Sequence, residues 1–293
     1  MKQGKGIFYG AAVCLLVFLF SSSAICQQKA DPTDQKKREA AARTERANVD
    51  LLDAAVKGKS HKIRKIVSQG ANINARDREG MTPLMLASVQ GYSDIVVDLL
   101  SLGAEVNLHD AYGATALMQA SWAGRRDIVE MLVAAGADVN LKSTDEGPTL
   151  RKKGSTALMG AAMSGNLDIV MYLASQNAMV NLQDAEGQTA LIYAAKYGHP
   201  EVARSLMSQG ANLEIQDQFG RTALTVATVH GHLEVVKLLV AAGAETETRD
   251  LNNLAPITYA SALDKADIYR VLRDSSRGRA KTNNNRTRRS SFY

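Results

Sequence analysis

Five histidines (His61, His109, His199, His230 and His232) and five aspartates (Asp77, Asp110, Asp184, Asp217 and Asp250) are the side chains here best suited to chemistry. Imidazoles and carboxylates serve as general acids and bases, or as metal ligands. Their spacing argues against both roles. His230 and His232 are two residues apart, so they do not share one helix face as an i, i+4 ligand pair would. The other histidines sit in separate stretches. The aspartates recur at a turn position, where Asp hydrogen-bonds its own backbone. Neither a phosphate loop nor a nucleophile elbow occurs. Cys14 and Cys26 both fall in the first 26 residues. Cleavage after Cys26 would leave no disulfide and no cysteine metal site. The chain therefore reads as a non-enzymatic binding protein with no metal, cofactor or small-molecule substrate.

Composition narrows the class further. Of 293 residues, 45% are apolar and 22% charged, the balance of a chain that folds. Aromatics are only 5%, which suits thin, closely packed helices better than a deep core with a roomy pocket. The net charge of +5 is unevenly spread. Lys2 and Lys5 lie in an N-terminal stretch without acids. Arg270, Arg273, Arg277, Arg279, Lys281, Arg286, Arg288 and Arg289 face Asp274 alone near the other end, so the body between is mildly acidic.

The N-terminus points to export. Lys2 and Lys5 precede an apolar run from Ile7 to Phe20, followed by the small residues Ser21 to Ala24. That is the three-part layout of a secretory signal over residues 1–26, with cleavage after Ala24 or Cys26. The expected location is periplasmic, envelope-associated or secreted. The alternative is an uncleaved anchor over residues 7–25, although the run is shorter than the ~20 apolar residues a spanning helix needs. A lipid on Cys26 is a further alternative, which the bulky Ile25 disfavours.

Repetition decides the architecture. Gly80, Gly113, Gly154, Gly187 and Gly220 each stand two residues before Thr82, Thr115, Thr156, Thr189 and Thr222, with spacings of 33, 41, 33 and 33. Gly91, Gly124, Gly165, Gly198 and Gly231 follow eleven residues after the first series. Between the two lie segments such as Thr115-Ala-Leu-Met-Gln-Ala-Ser. After them come apolar pairs such as Val235-Val236 with Leu239-Val240, one face of a helix. Each unit closes on a Gly-Ala turn, as at Gly103-Ala104 or Gly136-Ala137. Threonine at the head caps a short first helix, and the following glycine suits the left-handed position that ends it. One such unit cannot bury its apolar face alone, so neighbours must stack into an all-α solenoid.

These units resemble ankyrin repeats, whose pattern is Thr-Pro-Leu-His-x-Ala-Ala, Gly-His, an apolar helix and Gly-Ala-x-Val-Asn. Five good units span 77–248, and weaker ones at Leu51–Asn74 and from Asp250 to about Leu272 bring the total to about seven. The resemblance implies a helical repeat stack with short turn or hairpin fingers and with terminal units as caps. It implies structural roles for His199 and His232, at the family's Gly-His position. Met85, Met118, Met159, Ile192 and Thr225 replace the family's bonding histidine, so the stack should lean on apolar packing. Asn177 replaces a turn glycine, which asparagine tolerates. Lys57, Lys59, Lys62, Arg64 and Lys65 read as a solvated cap, with a docking patch as the lesser alternative.

The resemblance also places a binding surface. The variable positions of such stacks are the turn tips and the two residues before the first-helix glycine, which line one concave face. Here they hold Tyr112, Trp122, Met163, Lys196, Tyr197, Phe219 and His230. Tryptophan and tyrosine are enriched at energetic hot spots; the alternative is that they shield neighbouring repeats. The 41-residue spacing puts eight extra residues within 141–153, an extended loop ending in Arg151, Lys152 and Lys153. Repeat insertions often fall on the binding face, although a tolerated surface loop explains it as well. Residues 27–48 read as a charged spacer, partly helical from Gln35, the repeat domain as 49–273, and 274–293 as a basic disordered tail. The expectation is a scaffold gripping a protein partner. The alternative is a tether to an anionic surface (membrane, wall polymer or nucleic acid) through Arg277, Arg279, Lys281, Arg286, Arg288 and Arg289.

Overall fold

The computed structural model describes residues 32–145 and 152–277. The signal-like segment, Arg151 and the tail from 278 onward lie outside the described residues. The chain divides after Glu45 into two units. Of the first, only the helical stretch 32–45 is described.

Paired helices form the second unit. The first repeat pairs the end of α1 (Pro32–Val56) with α2 (Ser60–Ser68). The second pairs α3 (Pro83–Gln90) with α4 (Ser93–Ser101), and the third α5 (Ala116–Trp122) with α6 (Arg126–Ala134). The fourth holds α7 (Ala157–Met163) and α8 (Leu167–Ser175), and the fifth α9 (Ala190–Tyr197) and α10 (Pro200–Ser208). The sixth holds α11 (Ala223–His230) and α12 (Leu233–Ala241), and the seventh α13 (Pro256–Ala262) and α14 (266–277). No strand occurs among the described residues, and the finger at His109–Thr115 closes with a single bridge.

Each repeat is built as its residues dictate. Thr82, Thr115, Thr156, Thr189 and Thr222 all accept the amide of the residue three ahead, at 3.3–3.4 Å. This satisfies a donor that the helix start leaves orphaned. The aspartates hold the fingers. Asp110 Oδ1, for example, takes the amides of Tyr112 and Ala114, both at 2.9 Å, and Asp77, Asp184, Asp217 and Asp250 repeat the arrangement.

The core is a continuous apolar seam. First helices pack on first helices of the adjoining repeats and second helices on second. Leu99, Leu132, Leu173, Leu206 and Leu239, one per second helix, are fully buried. Burying each such side chain contributes roughly 1.5–3 kcal/mol. Met85, Met118, Met159, Ile192 and Thr225 are buried too, and all but Thr225 are apolar, as the sequence led us to expect.

Polar ladders nevertheless join the repeats beside that seam. Fingers bond through their backbones: Ala111 N to Glu79 O (2.9 Å), Thr144 N to Tyr112 O (3.1 Å) and Gln218 N to Glu186 O (2.7 Å). Such close approach excludes a side chain at the finger glycine. A Cβ on Gly113 would stand 2.2 Å from Thr144 N, and its φ is +78°. On the other side, Asn107 Oδ1 accepts from Asp138 N (2.9 Å) while its Nδ2 donates to Gly136 O (3.1 Å). Asn140 and Asn181 bridge the next junctions in the same way. Asn177 holds φ +62° in place of a turn glycine.

Two boundaries move. The stretch drawn as a spacer is helical from Pro32, and the 48/49 division falls inside α1, where Ala47 is buried and Asn48 Oδ1 accepts Asn72 N at 2.7 Å. At the other end α14 runs to 277, so residues 274–277, Arg277 included, are helical and not part of a disordered tail. Leu272 is fully buried there, and Ser276 Oγ donates to Glu247 Oε1 at 2.8 Å, which keeps the last turn docked.

Candidate binding face

First helices pack on first helices and fingers bond fingers, so the side chains on both recur from repeat to repeat along the stack. Five first helices run Thr-x-Leu-Met-x or a close variant, and the fifth residue differs each time: Leu86, Gln119, Gly160, Tyr193 and Val226. Gly160 is the informative member. It lies inside α7 without a left-handed φ, and a Cβ there would meet Trp122 at an ordinary 3.5 Å. Nothing in the backbone demands glycine, and glycine in a helix interior costs roughly 0.5–1 kcal/mol relative to alanine.

What the missing side chain leaves is a cleft. It is walled by Met118, Trp122, Met159, Met163 and Tyr193, with Ser143 and Ser155 at the finger end, and has a volume of about 20 Å³. That is room for about one water, or for the tip of an incoming side chain. Three thioethers make the wall adaptable, because methionine is flexible and polarizable.

The residues singled out from the sequence lie on these elements in different states. Trp122 is half-buried against the core, and its carbonyl accepts Ser164 Oγ at 2.8 Å. Met163 is only 9% exposed, so it presents a wall and not a protruding contact. Lys196 is half-buried with its ammonium 5.8 Å from the Tyr197 ring. Tyr197 stacks on Tyr193 at 6.4 Å, and burial raises its phenol pKa above the ordinary value. Phe219 is 48% exposed under the Arg221 guanidinium, 4.6 Å from its centroid. His230 is exposed and stacks on His232 at 6.2 Å. Tyr112 is half-buried on its finger and lies outside the cleft lining. Lys152 pairs with Glu186 at 2.9 Å and Lys153 is exposed. Trp122 and Met163 thus share the cleft, while Lys196, Tyr197 and His230 belong with the later repeats.

His199 and His232 stitch repeats together. His199 Nε2 lies 3.1 Å from Met163 O, and His232 Nε2 lies 3.0 Å from Lys196 O, each bond reaching back 36 residues. Tyr92, Arg125, Asn166 and Lys265 occupy the same position, each lying over the glycine of the preceding repeat. Met118 and Met159 were expected as packing residues and not as a cleft wall, and Gly160 and Tyr193, in the first-helix middle, carry no site signal in the sequence. Gly160 stands out only once the repeats are aligned on their threonines.

A family model described as ankyrin repeats (3 copies) matches residues 51–143, 143–217 and 206–285. The chain belongs to the ankyrin repeat family. Ankyrin repeats generally mediate protein–protein binding. Among 618 solved chains that match this ankyrin stack is the crystal structure of the human ASB11 ankyrin repeat domain, at 24% identity and a TM-score of 0.67. That match covers 77% of this chain and 96% of that one, and it shows the shared fold. No curated protein matches the ankyrin chain significantly. Among the described residues no helix is long and apolar enough to cross a membrane.

Proposed function

We propose that this ankyrin chain is a non-enzymatic protein-binding scaffold, exported to the cell envelope or beyond. It grips a protein partner with the edge formed by its fingers and first-helix ends. The observation that carries this reading is the cleft beneath Trp122. A helix-interior glycine, unneeded by the backbone, leaves a tryptophan, a tyrosine and three methionines around an unfilled apolar depression. Departures from local stability rules without a structural return are expected at functional sites. Export rests on the charged, apolar and small-residue succession of residues 1–26.

The test is affinity capture from envelope and secreted fractions with residues 27–293, beside Trp122→Ala and Gly160→Leu. A discrete protein retained by the parent and lost from both variants supports the reading. Capture that both variants leave unchanged overturns it. The concentration of arginine in 270–293 supports a second role as an electrostatic tether. Clustered basic residues near an anionic surface contribute about 1 kcal/mol each. Retention on such a surface should then collapse when 278–293 is removed or salt is raised.

A further inference from the structure

The last three repeats carry a second surface that the Trp122 cleft does not use. Three exposed apolar side chains lie on these repeats: Phe219 (48%) and Leu251 (77%) on adjoining fingers, and Leu263 (47%) at the far end of α13. The two fingers are joined by Leu251 N donating to Phe219 O at 3.0 Å. Arg221 lies over Phe219, and further cations line the first-helix ends of the same repeats. Lys265 Nζ lies over Gly231, at the end of α11, and His230 stacks on His232. His232 in turn bonds the carbonyl of Lys196.

Their charges are incompletely matched. Arg221 is held by Asp217 at 2.7 Å, but among the described residues neither Lys196 nor Lys265 has a carboxylate within 4.0 Å. Asp264 is exposed beside Lys265 without pairing to it. Burial first, then Lys196, His232, Arg221 and Lys265, hold the His230 imidazole below the ordinary histidine value.

We propose that this surface receives an acidic protein segment that also carries apolar side chains, with carboxylates toward Lys196 and Lys265 and apolar groups on Phe219, Leu251 and Leu263. The proposal rests on the protein-binding reading above and adds the chemistry of the partner. Exposed leucines and a phenylalanine favour a peptide over a nucleic acid backbone, which would bring phosphates but nothing to cover them. Charge complementarity at such a rim acts mainly on encounter rate and selectivity, while the apolar contacts supply the burial.

The probe is a fluorescein-labelled peptide of glutamates interleaved with leucine and phenylalanine, titrated with the full chain and followed by anisotropy at physiological salt. Two controls exchange its glutamates for glutamine or its apolar residues for serine. The expected result is saturable binding weakened about tenfold or more by Lys196→Glu/Lys265→Glu and by either control peptide. Arg204→Glu/Lys237→Glu, on the exposed faces of α10 and α12, should leave it unchanged, and Arg286→Glu/Arg288→Glu serves as the tail variant that tests the basic tail as a competing site. Circular dichroism and melting of each variant verify that the fold persists. Lys196→Gln/Lys265→Gln provides a milder pair, expected to weaken binding by a smaller factor. Equal binding by the charge-reversed chain, loss only with the tail variant, or displacement by oligothymidylate would overturn the proposal. The two readings fail separately. A partner captured through the Trp122 cleft with no peptide binding removes this inference alone, whereas peptide binding with capture indifferent to Trp122→Ala and Gly160→Leu removes the cleft reading alone.

Discussion

The Tyr193 hydroxyl donates to Asp184 Oδ2 at 2.7 Å, tying the middle of α9 to the base of its own finger. Oδ1 of the same carboxylate takes the amides of Glu186 and Gln188. The interaction returns as Gln119 to Asp110 (3.0 Å) and as Tyr259 to Asp250, each nine residues apart. One aspartate oxygen therefore shapes the finger and the other clamps it to the helix.

Tyr193→Phe leaves Asp184 Oδ2 buried without its donor, and such an orphaned group costs about 1–3 kcal/mol. Urea unfolding should show that loss near neutral pH. Burial, then the bond to Asp184, raises the Tyr193 phenol far above its ordinary value. A raised pKa contributes stability that is complete below about pH 10 and is lost as pH climbs toward the folded value. The phenylalanine variant should lack this alkaline decline. An unchanged alkaline slope would show that Tyr193 is not its source.

His230 gives the opposite limb. Its imidazole is held below the ordinary value by burial and then by surrounding cations. The unfolded chain therefore takes the proton first. The stability it contributes is present above about pH 6.5 and falls as pH drops toward the folded value. His230→Gln should flatten melting temperature against pH across that window.

Gly160→Ala should stabilise the chain by about 0.5–1 kcal/mol, since the added methyl meets Trp122 at ordinary contact distance. Gly113→Ala should destabilise it by at least about 2 kcal/mol, through the positive φ and the approach of Thr144 N. The two glycines are equivalent in composition and opposite in consequence. Melting curves of both variants side by side test the difference, and a Gly160→Ala chain that melts lower would contradict the assignment.

His232→Ala removes the bond to Lys196 O, a loss of about 0.5–1.5 kcal/mol placed at the junction of the fifth and sixth repeats. Stacks of this kind hold together through nearest-neighbour interfaces. The single tryptophan, Trp122, reports from the third repeat. Its fluorescence transition should separate from the circular dichroism transition in the variant, while both coincide in the parent.

Much of this was legible in the residues. The helix pairs, their threonine caps, the left-handed glycines and the turn role of the aspartates follow from local rules, because each involves groups within a few positions along the chain. The extent of the first and last helices was less legible. Residues 32–48 and 274–277 have little apolar pattern of their own, and contacts such as Asn48 to Asn72 and Ser276 to Glu247 hold part of them in place. Met163 looked like a protruding contact by position, yet it forms a wall, since exposure depends on the neighbouring repeat.

The sequence by itself determined the repeat, its period and the helical class, since a 33-residue recurrence of caps and breakers leaves few backbones open. Only the tertiary structure decided that Gly160 opens a cleft under Trp122, and that Lys196, His230 and Lys265 crowd together across three repeats. Those relations join residues about 33 positions or more apart, and stacking sets such distances, which no local propensity encodes.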